Sequence, residues 1–128
     1  MEKKLFEYQS RFDELLKNHV EKGYLRDPKI QDVLRTIPLN YILEEEQLER
    51  FLMEDRPAVF YYKEKDHIRT LSAPHMISMM LSILELRSDD KVLILGAKGG
   101  IIEAAIAKLV DKVFIVEEHE DIATITEE

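Results

Sequence analysis

Three glycines and one carboxylate are the residues whose types and spacing most directly suggest chemistry. Gly96-Ala97-Lys98-Gly99-Gly100 follows the apolar run Val92-Leu93-Ile94-Leu95, and Ile101, Ile102, Ala105, Ile106 and Leu109 then recur at helical spacing. A second apolar run, Val113-Phe114-Ile115-Val116, ends in Glu117 and Glu118. Strand, glycine turn, helix, strand and acid make half of a nucleotide-binding βαβ fold. The glycines keep the turn tight and let backbone approach a ligand. The helix that opens there aims N–H groups above the turn. Glu117 lies 21 positions beyond Gly96 (117 − 96), about the spacing at which an acid reaches a ribose hydroxyl. The bland alternative for Glu117 is a solvated acid at a strand end. The stretch suggests an adenosine-type ligand without saying which. Gly96 to Gly100 does not give Gly-x-Gly-x-x-Gly, so a nicotinamide-dependent oxidoreductase fits poorly.

The elements that must position this turn lie upstream. Leu5, Tyr8, Phe12, Leu15, Leu16, His19 and Val20 share one helical face, with Gly23 as the stop. Asp27-Pro28 reads as an N-cap with proline at the first helical position, and Ile30, Val33, Leu34 and Ile37 continue that helix to Pro38. Glu44 to Met53 forms a third helix with Leu48, Phe51 and Leu52 inward; its acidic start favours the helix dipole. Ala58–Tyr62 and His67–Leu71 read as two short strands or an extended hairpin around Lys63-Glu64-Lys65-Asp66. Ser72 is a suitable N-cap, with Pro74 in the first turn of an apolar helix carrying Met76, Ile77, Met80, Ile83 and Leu84. The Met76, Met79 and Met80 cluster is expected in the core. Asp121 to Glu128 begins another helical pattern with Ile122 and Ile125. Two strands make a poor independent sheet, so the chain reads as a truncated fragment of a larger fold. The segments are 1–57, an N-terminal helical region; 58–90, a hairpin and site-side helix; and 91–128, the start of a Rossmann-like donor-binding domain.

Composition narrows the partners. The 128 residues are 45% hydrophobic and carry a net charge of −8, which fits a globular chain and argues against general nucleic-acid binding. Tyr61 and Tyr62 with Lys63 and Arg69 make only a slight case for a single-stranded nucleic-acid surface. The absence of cysteine removes disulfides, thiolate metal sites and a cysteine nucleophile. His19, His67 and His119 have no ligand-like spacing, so no metal site is expected. The start is no signal-peptide core, and the window from Met76 to Leu86 is too short to span a membrane. A soluble, cytoplasmic protein is the expectation.

Asp55-Arg56-Pro57, then Thr70-Leu71-Ser72-Ala73-Pro74-His75-Met76, Met79-Met80 and Leu84-Glu85-Leu86, give the chain a family likeness. In order and spacing these residues, from about Asp27 to Glu118, resemble the protein-L-isoaspartate (D-aspartate) O-methyltransferase family. The resemblance implies an α/β fold of class I: a mostly parallel, Rossmann-like sheet with helices on both faces, preceded by an N-terminal helical region. It implies S-adenosyl-L-methionine as methyl donor and an isoaspartyl carboxylate in a protein or peptide as acceptor, a protein repair reaction. By position, Ser72 corresponds to the family's active-site serine, with Thr70 and His75 beside it as substrate-side candidates. Gly96 and Gly100 correspond to the donor loop's first and last glycines, and Glu117 to the acid that binds the ribose hydroxyls. A carboxylate acceptor is already ionised above about pH 4, so the reaction needs positioning more than a base such as His75.

Some positions depart from the family pattern. Ile94 stands where a glutamate holds the donor's methionine amino group, and an isoleucine accepts no hydrogen bond. The loss is on the order of 1–3 kcal/mol if the ammonium is left unpaired. Lys98 replaces the middle glycine and places a long side chain where backbone should approach, although its charge could attract the methionine carboxylate. Pro38-Leu39-Asn40-Tyr41-Ile42 lacks the family's arginine, Ile68-Arg69 replaces Gly-Gln, and the second half of the family pattern has no counterpart. The leading expectation is a carboxyl methyltransferase relative, inactive as a fragment. The alternative is a degenerate, non-catalytic binding or assembly module. An exposed edge at Val113–Val116 is expected to permit homodimer pairing.

Overall fold

A computed structural model of the chain describes residues 2–37, 39, 43–62, 68–97, 99–118 and 122, with side chains from residue 7 onward. Helix α1 (Glu2–Glu21) is followed by α2 (Pro28–Arg35) and α3 (Glu45–Met53). Strands β1 (Ala58–Tyr62) and β2 (Ile68–Leu71) form an antiparallel pair, and α4 (Pro74–Leu84) leads to β3 (Lys91–Leu95), α5 (Ile101–Ala107) and β4 (Lys112–Val116).

The helical region assembles as its periodicity requires. Phe12, Leu15, Leu16 and His19 of α1 are buried, whereas Val20 is exposed and so lies off the inward face expected of it. Gly23 has φ +78° and takes the chain out of the helix in the left-handed region, where it has no Cβ to strain. Asp27 caps α2 by accepting the Lys29 N–H at 3.0 Å. Ile30 and Leu34 are buried against the core, as are Leu48, Phe51 and Leu52 of α3. Each such side chain contributes roughly 1.5–3 kcal/mol on burial. Arg11 ties α1 to the end of α3 through the carbonyls of Leu52 and Met53, which would otherwise be unsatisfied helix-end acceptors. Pro38, the expected helix stop, lies outside the described residues, as do Lys63 to His67 between the strands and Ile125 beyond β4.

The expected hairpin forms, with Ala58 opposite Leu71 and a register irregularity between Val59 and Tyr61. A bulge of this kind increases local twist. β3 and β4 are parallel and in register from Lys91↔Lys112 to Leu95↔Val116. Helix α5 buries Ile101, Ala105 and Ile106, and the side chains at 92, 94 and 113 pack against the same core. The βαβ unit is therefore present as read from the sequence.

Two sequence expectations fail in α4. Its N-cap is Ala73 and not Ser72, and Ala73 makes no side-chain cap. Ile77, Ser78 and Leu81 are buried, but Met76, Met80, Ile83 and Leu84 are exposed, so the methionine cluster is not core. The helix is apolar nearly all round, and the described residues cover only one of its faces. The same holds for the second face of the parallel pair, where Leu93, Leu95, Phe114 and Val116 are all exposed. Strands of a parallel sheet are apolar on both faces because both are normally covered.

Candidate active site

The glycine turn sits at the carboxyl end of β3. Gly96, Gly99 and Gly100 have φ of +86°, +80° and +109°, conformations that residues with a Cβ adopt at a penalty. The Gly96 N–H donates to the Val116 carbonyl at 2.7 Å, so the turn leaves directly from the β3–β4 ladder. Glu117 follows β4 and its Oε1 accepts the Ala97 N–H at 3.0 Å. Glu103, buried on α5, turns its carboxylate back to the Gly100 N–H at 3.2 Å. The N–H groups of Ala97 and Gly100 are thus engaged by the chain's own acids and are not simply open above the turn. Gly99 is buried and needs glycine for a further reason: a Cβ there would lie 2.8 Å from Cδ2 of the Phe60 ring. Phe60 belongs to β1, so the hairpin that leads to Ser72 is packed directly onto the glycine turn. Lys98 lies outside the described residues, and Ile94 is half-buried against the hydrophobic core.

The second group of candidates lies on the link from β2 into α4. Thr70 is exposed in β2, paired with Val59. Ser72 is half-buried, and its hydroxyl makes no hydrogen bond among the described residues. His75 is the second residue of α4, and its backbone N–H and ring Nδ1 lie 2.9 and 3.1 Å from Oδ1 of Asp55. Asp55 therefore does at a distance the capping work expected of Ser72. It stands in the left-handed region at φ +51°, which Asp and Asn tolerate better than most side chains.

Asp55 Oδ2 lies 3.0 Å from Nε2 of His19, whose Nδ1 is 2.9 Å from the Ser78 hydroxyl. The ring of Tyr24 lies 6.1 Å from His19 and 6.2 Å from His75, centroid to centroid. Burial opposes ionisation of Asp55, but the hydrogen bonds from His19 and from the backbone and ring of His75 outweigh it. The carboxyl is held below its ordinary value. Sequence reasoning missed this role for Asp55 and His19. The available signal was a histidine on an inward helix face, since a buried imidazole needs hydrogen-bond partners.

Comparison with known proteins adds to this geometry. The family model for protein-L-isoaspartate (D-aspartate) O-methyltransferase matches residues 10–128. The protein-L-isoaspartate O-methyltransferase of Ignicoccus hospitalis is 33% identical over 97 residues, covering 76% of this chain and 43% of that protein. That of Methanosarcina mazei is 34% identical over 105 residues, covering 80% and 41%. The chain thus spans less than half the length of these curated relatives. Among solved structures, a protein-L-isoaspartate O-methyltransferase superposes with a TM-score of 0.68 over 93% of this chain and 37% of its own, at 20% identity. A Plasmodium falciparum structure of the same description, in complex with S-adenosyl-L-homocysteine, gives 0.68 over 90% and 52%, also at 20% identity. These likenesses establish the fold as part of an α/β methyltransferase fold, and the family match covers nearly the whole sequence: this chain belongs to the protein-L-isoaspartate (D-aspartate) O-methyltransferase family.

Proposed function

We propose that the chain carries the donor-binding turn and the active-site segment of an S-adenosyl-L-methionine-dependent methyltransferase acting on isoaspartyl carboxylates in proteins or peptides. The observation that carries this reading is the division of labour around α4. Asp55 caps the helix, and among the described residues the Ser72 hydroxyl makes no hydrogen bond, on a segment whose residues match the family motif. Thr70 and His75 flank it as substrate-side groups.

The residues fit the donor's adenosine half. Gly96 and Gly100 adopt positive φ at the strand end, and Glu117 is held against the turn by the Ala97 N–H. An ionised carboxylate only accepts hydrogen bonds, which suits Glu117 to the hydroxyl donors of a ribose. The donor supplies an electrophilic methyl group when bound; the chain's own residues bind it and orient the acceptor carboxylate, which needs no base near neutral pH. At the methionine end Ile94 packs into the core and offers no acceptor, which supports weak donor binding. The β3–β4 pair with one uncovered face supports a further part of the reading, that the 128-residue chain alone does not transfer methyl groups.

A second reading is favoured by one observation. Leu93, Leu95, Phe114 and Val116 form an exposed apolar face, and no described strand pairs with the second edge of β4. This fits a non-catalytic assembly module, or a homodimer paired through the Val113–Val116 edge. Equilibrium dialysis with labelled S-adenosyl-L-methionine, followed by addition of an isoaspartyl peptide, separates the readings. Retention of label without transfer is expected. No retention would favour the module, and methyl transfer by this chain alone would contradict its inactivity.

A further inference from the structure

His19, Asp55, His75 and Ser78 form one hydrogen-bonded chain that links α1, the turn after α3 and the start of α4. The donors and acceptors in it can be worked out from the chemistry of the groups. An ionised carboxylate only accepts, so each ring nitrogen facing Asp55 carries a proton: Nε2 of His19 and Nδ1 of His75. A neutral imidazole then has its other nitrogen as acceptor. For His19 that nitrogen is Nδ1, which faces the fully buried Ser78 hydroxyl. The hydroxyl's hydrogen-bond partner among the described residues is His19, so its proton points to Nδ1. Every polar atom of this buried run is thereby satisfied, with His19 only 1% exposed. For His75, both the backbone N–H and the Nδ1–H converge on Asp55 Oδ1, leaving Nε2 as the ring's acceptor.

We propose that Asp55 is a positioning residue for the active-site segment: seated by buried His19, it grips the first turn of α4 and fixes His75 as its Nδ1–H tautomer. Its importance for methyl transfer rests on the function proposed above, because Ser72 lies three residues before His75. The grip itself does not depend on that function. Asp55 acts through His75 and the backbone, and not by touching a substrate. Two opposing demands meet at its two oxygens. One oxygen meets two donors from α4 and the other meets one donor from α1, so the side chain cannot rotate by half a turn without exchanging these partners. The left-handed backbone at φ +51° sets the direction from which the carboxylate enters.

The Asp55→Asn variant makes a specific test, since asparagine tolerates the same backbone. Its carbonyl oxygen must stay with the two donors of His75, and its NH₂ must then face His19. Because an NH₂ only donates, His19 has to move its proton from Nε2 to Nδ1. Long-range proton–nitrogen NMR correlations of the histidine rings, recorded on this chain at mildly alkaline pH without donor or peptide, read these tautomers directly. The expected wild-type pattern is His75 as Nδ1–H and His19 as Nε2–H; in Asp55→Asn, His19 becomes Nδ1–H while His75 is unchanged. Amide exchange gives the second readout. Exchange at the His75 N–H is expected to rise about tenfold or more in Asp55→Ala and to be restored toward wild type in Asp55→Asn, whose oxygen still accepts. A wild-type His75 in the Nε2–H form would overturn the proposal, as would His19 remaining Nε2–H in a folded Asp55→Asn. If the variants fail to fold, the wild-type tautomers still decide. Failure of donor binding leaves these spectra unaffected, so the two readings fail separately.

Discussion

Asp55 receives three hydrogen bonds on two oxygens, from two different helices, and this makes its ionised form part of the fold. The consequence for pH has a definite sign. Its folded-state carboxyl is held below the ordinary value, so its contribution is present above the unfolded-state value of about 3.9 and is lost as pH falls through the lower folded value. Denaturant midpoints measured on either side of that window are expected to fall with acidification in the wild type, and to fall less in Asp55→Asn. Equal slopes would show that Asp55 carries no such linkage. Removing the acceptor altogether is more damaging, because it leaves a buried His19 donor unpaired. Asp55→Ala is expected to lower unfolding stability by about 1–3 kcal/mol in chemical denaturation. Ser72→Ala, in contrast, is expected to stay within about 0.5 kcal/mol of wild type, since Ser72 does not cap α4. A loss near 1 kcal/mol, typical of a broken cap, would restore Ser72 to that task.

At the scale of elements, the hairpin and the glycine turn are held together where Phe60 meets Gly99. Gly99→Ala combines a positive φ with a Cβ 2.8 Å from an aromatic carbon, and is expected to destabilise by about 1–3 kcal/mol. A double-mutant cycle with Phe60→Ala checks the cause: relieving the clash should recover part of that loss but not the backbone strain. Additive effects would mean that the two residues do not constrain each other. Most elements were legible because their signals are local. Asp27-Pro28, the Leu48/Phe51/Leu52 spacing and the two apolar runs around the glycine turn each specify structure within a few residues. Much of what was missed is not local. The cap of α4 comes from Asp55, nearly 20 residues upstream, and a nearby serine imitates it in sequence. Likewise the occupants of the turn's N–H groups, Glu117 and Glu103, are recognisable as such only once the chain is folded.

For the whole molecule, the question is what covers the apolar surface. Ile83 and Leu84 on α4, with Leu93, Leu95, Phe114 and Val116 on the parallel pair, are exposed; Leu95 reaches 74%. Periodicity reports that a residue is apolar but not which faces the described residues cover, which is why Met76 and Met80 were misplaced. Apolar surface that the described residues leave uncovered favours association. Light scattering is expected to show concentration-dependent self-association, reduced by Leu95→Glu with Phe114→Glu; a monomer at all concentrations would contradict it. The proposal for the carboxyl end of these strands is that Glu117 and the glycine turn grip the adenosine side of the donor, while Ile94 offers no acceptor at the methionine side. Titration calorimetry of this chain with adenosine and with S-adenosyl-L-homocysteine tests it most directly. Measurable heat is expected with both, with affinities within about tenfold of each other and loss of both in Glu117→Ala. No binding of either ligand, or binding that Glu117→Ala leaves unchanged, would contradict it.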